Sequence, residues 1–285
     1  MRDMLAEQRR LRITEYVQQQ ESGIVTIAEL SEMLSVSDMT IRRDLDLLER
    51  QSVLRKVRGG AAAIQQIDGD RSFDFRSKKA DPQKKIIGWL ASQLVHDGDR
   101  IVLDAGTTTF QIASNLACKN HLTVITNNLL AAQELSRCTN IIILLLGGII
   151  KHQELCTVGD MVKQSLSLLS VDKYFLSVTS FSIPMGAMET DMAETEVKQS
   201  MLRSAGETIL VADSTKYNVT SLIQVAPLRR ISKIVTDDGM PVDAIREIEA
   251  QDVEVITPAR QSFGPIPSNI KTLVDYINAR RTTND

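Results

Sequence analysis

Arg42 and Arg43 are the clearest candidates for reading a nucleic acid, because they stand side by side in the run Ser37-Asp38-Met39-Thr40-Ile41-Arg42-Arg43-Asp44-Leu45. A planar guanidinium fork fits a guanine edge or a phosphate, and neighbours about 100° apart around a helix can divide those two tasks. Ser37 is placed to cap the first turn, and Ile41, Leu45 and Leu48 recur as one buried stripe. Thr40, Arg43, Asp44 and Leu47 form a second stripe, with Met39 and Arg42 at its edge. Ser37, Met39, Thr40, Arg42 and Arg43 are therefore the expected contacts of a DNA-reading helix. An ordinary solvated charged face is the plainer account of such a helix. Downstream, the segment from Val53 alternates in strand fashion, and its Arg55, Lys56 and Arg58 would reach backbone phosphates.

A second group of residues suits a small anion. Asp104-Ala105-Gly106-Thr107-Thr108-Thr109 follows an apolar strand pattern and precedes a helical one. Gly106 allows a tight turn, the next amides point out of a helix N-terminus, and three hydroxyls add donors, which together make a nest for a phosphate. A well-capped turn without a ligand explains the same residues equally well. Asp104 would repel a nearby phosphate, so it is expected to tie down loop amides or accept bonds from sugar hydroxyls. No GxGxxG or Walker lysine pattern is present, which disfavours dinucleotides and nucleoside triphosphates. Thr126-Asn127-Asn128, Gly147-Gly148, Gly159 and Asp213-Ser214-Thr215-Lys216 follow other strand patterns. Lys216 is a natural cation for the anion. Lys198, one turn after Glu194, suits either a ligand role or a weak surface pair.

The elements that must position these groups fall into two sets. Three short helices precede the basic strand: one from Arg9 to Gln20, one opened by Thr26 and Glu29 as a capping box with Leu30, Met33 and Leu34 on its apolar face, and the arginine helix. The tight Leu34-Ser35-Val36 turn makes a helix-turn-helix, and the strand turning at Gly59-Gly60 makes a wing. Residues 1–63 are thus expected to form a winged helix-turn-helix and residues 64–81 a polar linker on which Phe73 and Phe75 pack against something. From 82 to 257 helices alternate with short apolar strands, which predicts an α/β domain with a mostly parallel sheet and its ligand at the carboxyl strand ends. Residues 258–285 form an extension with an amphipathic stretch at Ile270, Leu273, Val274 and Ile277.

Composition narrows the function classes. The formal net charge is −3, and basic and acidic side chains are equally numerous in the first sixty residues, so a general polyanion binder is disfavoured. A small oriented footprint remains, strengthened by a homo-oligomer, a dimer or a tetramer, that engages two half-sites. Cys118, Cys138 and Cys156 are scattered and odd in number, indicating neither a disulfide framework nor a zinc site, and three dispersed histidines agree. No metal or cofactor is implied. No signal peptide is visible and the longest apolar run, Ile141 to Ile150, is too short to span a bilayer, so a cytoplasmic protein without membrane partners is expected.

Residues 9 to 61 resemble the DeoR-type winged helix of transcription regulators, through Arg9, Ile13 and Val17, the Ser-x-x-Thr-Ile-Arg-Arg-Asp-Leu run from Ser37, and Leu54-Arg55 followed by Gly59-Gly60-Ala61. The link from Gln18 to Gly23 is about two residues longer than usual. From Lys84 to Ile256 the Asp-x-Gly-Thr-Thr, Thr-Asn, Gly-Gly, Glu-x-x-x-Lys and Asp-Ser-x-Lys pieces resemble, in order, the DeoR C-terminal sensor domain. Arg76 and Lys84 also match that family's linker and first helix. The resemblance implies a fold shared with ribose-5-phosphate isomerase and a phosphorylated sugar as effector. It implies that Asp104, Gly106, Thr107, Thr108, Asn127, Gly148, Lys198 and Lys216 line the site, with Thr109 beside them. The expected function is then a repressor of carbohydrate genes, released from operator double-stranded DNA by a phosphorylated metabolite. The rival is a sugar-phosphate isomerase or transferase with an accessory DNA-binding domain. The resemblance breaks at Ser177 to Pro184, where the family has a Gly-x-Asp-Gly-like segment. The missing carboxylate disfavours an enzyme, since proton transfer between carbons needs a positioned base.

Overall fold

The computed structural model describes residues 6–19, 24–50, 53–57, 59–63 and 81–260, and the chain divides into two units, residues 1–67 and 68–285. In the first, α1 (Ala6–Gln19), β1 (Ile24–Thr26), α2 (Ile27–Leu34) and α3 (Asp38–Arg50) are followed by β2 (Leu54–Val57) and β3 (Gly60–Ala63). The capping box forms as expected: Glu29 N donates to Thr26 Oγ1 at 3.2 Å, and Thr26 N donates to Glu29 Oε2 at 2.7 Å. Ser35 ends α2 in the left-handed region at φ 53°, turning the chain toward α3. Ile13, Val17, Leu30, Leu34, Ile41, Leu45, Leu48 and Leu54 form one apolar core.

Two expectations fail here. Met33 is 40 % exposed, because the eight-residue α2 buries the stripe through Ile27, Leu30 and Leu34. Asp44 lies in the interior rather than on the polar face, where it accepts Arg9 Nε at 2.6 Å. The wing is a three-stranded sheet in the order β1-β3-β2. Only a glycine fits at Gly60, since a Cβ there would stand 2.0 Å from the Val25 carbonyl oxygen. Arg58 and most of the link after α1 lie outside the described residues, as do the linker with Phe73, Phe75 and Arg76 and the amphipathic stretch near Ile270.

The second unit begins with α4 (Asp81–Gln93), β4 (Arg100–Leu103), α5 (Thr107–Ala113), β5 (Leu122–Thr126), α6 (Leu129–Leu135) and β6 (Ile141–Leu145). It continues with β7 (Ile149–Lys151), β8 (Cys156–Val158), α7 (Asp160–Ser167), β9 (Val171–Leu176), β10 (Ser180–Ser182), β11 (Gly186–Glu189) and α8 (Met192–Ser204). It closes with β12 (Ala205–Val211), β13 (Ile223–Ala226), β14 (Lys233–Val235), α9 (Val242–Glu249) and β15 (Glu254–Ile256).

Seven strands in the order β15-β14-β12-β9-β4-β5-β6 pair in parallel throughout. Alternation along each strand feeds two cores. Ile101, Leu103, Phe175 and Ile209 pack toward α4, α5 and α6. Val102, Leu176, Leu210 and Ile234 pack toward α7, α8 and α9. Helices on both faces explain why these strands read as continuous apolar runs.

Beyond the expected alternation, the antiparallel hairpin β7–β8 and the antiparallel sheet β10-β11-β13 are additions. Strands of three or four residues carry too little alternation to stand out in a sequence. α9, with Ala244, Ile245 and Ile248 buried, also went unmarked.

Candidate functional site

On α3 the Ser37 hydroxyl caps the first turn, taking Thr40 N at 3.3 Å and lying 3.0 Å from Thr40 Oγ1. Met39, Arg42, Arg43 and Asp46 are exposed, one continuous stripe at helical spacing opposite the core. Arg55 is exposed on β2. Lys56, expected to face phosphate, is paired with Asp46 of α3, and its backbone amide donates to Glu49 Oε1 at 2.9 Å. Lys56 holds the Asp46 carboxyl below its ordinary range by hydrogen bonding. The wing is thus strapped to the helix by side chains that sequence reasoning had separated.

At the carboxyl ends of the sheet, Asp104 follows β4 and is buried. Its Oδ1 accepts Ala105 N at 2.8 Å, and its Oδ2 accepts Ser177 N at 3.1 Å and Lys198 Nζ at 2.6 Å. Lys198 also donates to the Ser177 carbonyl at 2.9 Å and lies 3.5 Å from Glu189 Oε1. The option of a surface pair with Glu194 is overturned: Lys198 is buried, and Glu194 instead accepts Lys151 Nζ at 2.5 Å. Burial opposes the Lys198 charge, but Asp104, Glu189 and Glu194 outweigh it and hold the ammonium well above the ordinary lysine range.

Glu189 is the residue that sequence reasoning missed. The segment after β9 lacks a carboxylate, yet the β10–β11 hairpin returns Glu189 to that place, where it accepts Thr179 N at 3.1 Å and Thr179 Oγ1 at 2.6 Å. Only the pairing of Ser180 with Met188 reveals this, and no linear spacing does.

Gly106 begins α5 at φ 131°, where an added Cβ would stand 2.8 Å from Ser177 Oγ. Its carbonyl accepts Asn128 Nδ2 at 3.1 Å, while Asn128 Oδ1 caps α6 through Leu130 N and Ala131 N. Asn128, placed at a strand end by the sequence, therefore ties two strand-end turns together, a role that its position in the Thr126-Asn127-Asn128 run did not assign. Thr109, counted among the phosphate donors, spends its hydroxyl on the Asp104 and Gly106 carbonyls at 2.8 and 3.0 Å. Gly148 serves close packing: a Cβ would lie 2.6 Å from the Val158 carbonyl oxygen and 2.8 Å from a Val162 methyl.

Thr107, Thr108 and Asn127 are buried beside this loop. Asn127 Nδ2 donates to the Thr157 carbonyl at 2.9 Å, but Asn127 Oδ1 and Thr108 Oγ1 have no hydrogen-bond partner. Tyr174 OH is likewise unpartnered, and burial and the Asp104 charge raise it well above the ordinary tyrosine range. Lys216, beyond the Asp213 cap, donates to the Val178 carbonyl. The structure thus brings Asp104, Gly106, Lys198 and Asn128 into one bonded network, and Lys216 reaches the segment after β9. Among the described residues no cluster of metal-ligating side chains is present, and no helix is long and apolar enough to cross a membrane.

Comparison with known proteins agrees with this two-part arrangement. Residues 9–67 match the DeoR-like helix-turn-helix domain and residues 79–238 the DeoR C terminal sensor domain. The chain is 36 % identical over 252 residues to the uncharacterized HTH-type transcriptional regulator YulB of Bacillus subtilis (strain 168), covering 88 % of this chain and 96 % of that protein. It is 36 % identical over 242 residues to the HTH-type transcriptional repressor GlcR of the same organism, covering 82 % and 89 %. Among solved structures, a ribose-5-phosphate isomerase in complex with phospho-erythronic acid aligns at TM-score 0.36 and 16 % identity, over 47 % of this chain and 52 % of that one. Translation initiation factor eIF-2B of Pyrococcus horikoshii OT3 aligns at TM-score 0.41 and 13 % identity, over 81 % and 87 %. With a DNA-binding domain and a sensor domain that both match along most of its length, this chain belongs to the DeoR family of helix-turn-helix transcriptional regulators.

Proposed function

We propose that this regulator is a repressor of carbohydrate genes, that it reads its operator with α3 and the wing, and that a phosphorylated sugar or related metabolite controls it from the strand-end site. The observation that carries the effector reading is the pair of buried, unpartnered atoms Thr108 Oγ1 and Asn127 Oδ1, which follow the neighbouring strands β4 and β5. Buried polar atoms are nearly always satisfied, so each unsatisfied one calls for a partner. A threonine hydroxyl donates to a phosphate oxygen and an amide oxygen accepts a hydroxyl, and a phosphorylated polyol carries both groups. The amides of Thr107 and Thr108 at the start of α5, with Lys216, complete the anion side, while Asp104 and Lys198 order the loop behind it. At the output end Met39, Thr40, Arg42 and Arg43 contact bases and backbone, Ser37 caps their helix, Arg55 holds a phosphate, and Lys56, paired with Asp46, is a reserve cation beside it. A dimer or higher homo-oligomer engages two half-sites.

Thermal melts against a panel of phosphorylated pentoses and hexoses test the sensor. A ligand should raise the melting temperature as its concentration passes the dissociation constant. The same ligand should lower affinity for duplexes selected by the protein from a random pool. No shift with any phosphorylated sugar sinks the effector claim. Arg42→Ala and Arg43→Ala test the output, and unchanged affinity and sequence preference in both would sink the reading of α3. Glu189 keeps an enzyme in view, because it restores a carboxylate beside the Asp104–Lys198 pair. Turnover of a pentose or hexose phosphate by the purified protein would establish that alternative.

A further inference from the structure

The open edge of the large sheet offers an interaction surface. β6 is the last strand of that sheet. Ile141 and Ile143 pack on the α6 side, so by strand alternation Ile142 and Leu144 project from the opposite face. There they remain uncovered, Ile142 at 68 % and Leu144 at 42 % exposure. The β7 hairpin that follows β6 in the chain also carries exposed apolar side chains, Ile149, at 72 %, and Ile150. Ile149 lies against Gly159, where a Cβ would meet its Cδ1 at 3.7 Å, and α7 starts there with Met161 exposed at 66 %. From Ile141 to Ile150 the sequence holds no charge and no proline.

Edge strands of monomeric proteins are blunted by charges, proline, bulges or a covering element, because an open apolar edge pairs with another strand. This edge has neither a charge nor a proline. We propose that it is covered by the same edge of a second copy of this chain, with the two β6 strands antiparallel about a twofold axis and Ile142, Leu144, Ile149 and Met161 packed across it.

Three arguments select a second copy as the occupant. A two-fold contact must be self-complementary, and an uncharged strand edge is, since its N–H and C=O groups match those of its own reversed copy with no like-charge repulsion. Four large apolar side chains, Ile142, Leu144, Ile149 and Met161, stand 42–72 % exposed, and an exposed apolar patch on a folded protein marks an interaction site. The third argument rests on the proposed function: a winged helix that reads one half-site needs a second, symmetry-related one.

Sedimentation velocity on the full chain without DNA tests this directly. The wild type should sediment as a dimer or larger. The double variant Ile142→Lys with Ile149→Lys should sediment as a monomer with a native circular-dichroism spectrum and a cooperative melt, since both side chains are exposed in the single chain. Its affinity for a selected two-half-site duplex should fall at least tenfold, while binding to a single half-site stays at the wild-type level. Met161→Glu, a single change on a different element, should weaken the same association and decides the matter if the double variant does not fold. A wild type that is monomeric at tens of micromolar, or folded variants that keep the wild-type assembly, would overturn the proposal. Loss of single half-site binding in Arg42→Ala with assembly intact speaks to the DNA reading alone, so the two failures are distinguishable.

Discussion

Lys198 shows what a single side chain can hold together. It is buried with two carboxylates, Asp104 at 2.6 Å and Glu189 at 3.5 Å. Removing one partner of a buried ion pair leaves an uncompensated charge, and the cost is about 3–5 kcal/mol. Lys198→Ala should therefore lower the unfolding free energy of the sensor unit by about that amount in urea titrations. A loss within the range of an exposed pair would show that water reaches Asp104 and Glu189. Glu29 gives a pH prediction with the opposite charge. Its carboxyl is held below the ordinary 4.5, first by the Thr26 amide and then by the Thr26 hydroxyl. A carboxyl whose folded value is depressed adds stability above its unfolded value and loses it as pH falls through the folded one. The winged-helix unit of Glu29→Gln should therefore melt with a shallower dependence on pH below 4.5 than the wild type, followed by circular dichroism. Cys156 differs again: burial first, then the Glu194 charge, pushes its thiol up to about 12. Alkylation of the folded protein at neutral pH should label exposed Cys118 and spare Cys156 until the chain unfolds.

At the scale of elements, the pairing of Asp46 on α3 with Lys56 on β2 joins the wing to the helix. Both side chains are partly or fully exposed, so the pair adds little to stability. It occupies a cation that the proposed function makes available to a phosphate. Asp46→Asn should raise affinity for unrelated duplex DNA and steepen the salt dependence of binding by about one phosphate contact. Fluorescence titrations at several salt concentrations read this slope, and an unchanged slope would show that Lys56 already reaches the backbone. This coupling also marks how far the chain was legible as sequence. Long periodic segments were legible: α3 with Ile41, Leu45 and Leu48 inside, the Thr26–Glu29 capping box, and the parallel strands whose apolar runs reflect burial on both faces. What local patterns do not carry is pairing between distant residues. Asp44 falls on the polar stripe by spacing, and Arg9, from a different helix, accounts for its burial. Met33 falls on the apolar stripe by spacing, but the eight-residue α2 turns Ile27, Leu30 and Leu34 inward instead. Glu189 was invisible because a three-residue strand and a hairpin bring it beside Thr179. Thr109 looked like a ligand donor because nothing in the sequence shows its hydroxyl already bonded to two carbonyls.

At the scale of the whole molecule the issue is how a strand-end site and a winged helix exchange free energy. The sensor's interior is tightly interlocked, with Asn128 linking the β5 turn to Gly106 and Asp104 linking β4 to the segment after β9. A ligand that satisfies Thr108 Oγ1 and Asn127 Oδ1 therefore acts on a loop already joined to three strands. It can alter DNA binding only by binding two conformations or assemblies unequally. Linkage then demands reciprocity: if the effector weakens the operator complex by some factor, saturating operator must weaken effector binding by that same factor. Gly106→Ala should break the coupling at its source, because φ 131° and Ser177 Oγ at 2.8 Å leave no room for a methyl group. Backbone strain of this kind costs about 1–3 kcal/mol, so the sensor unit should melt earlier while selected DNA is still bound. Titrating effector with and without DNA, by calorimetry on wild type and variant, measures both factors. Equal factors in the wild type and none in Gly106→Ala are expected. Unequal factors would mean that a change in assembly intervenes, and a fully retained response in the variant would remove Gly106 from the path between the two ends.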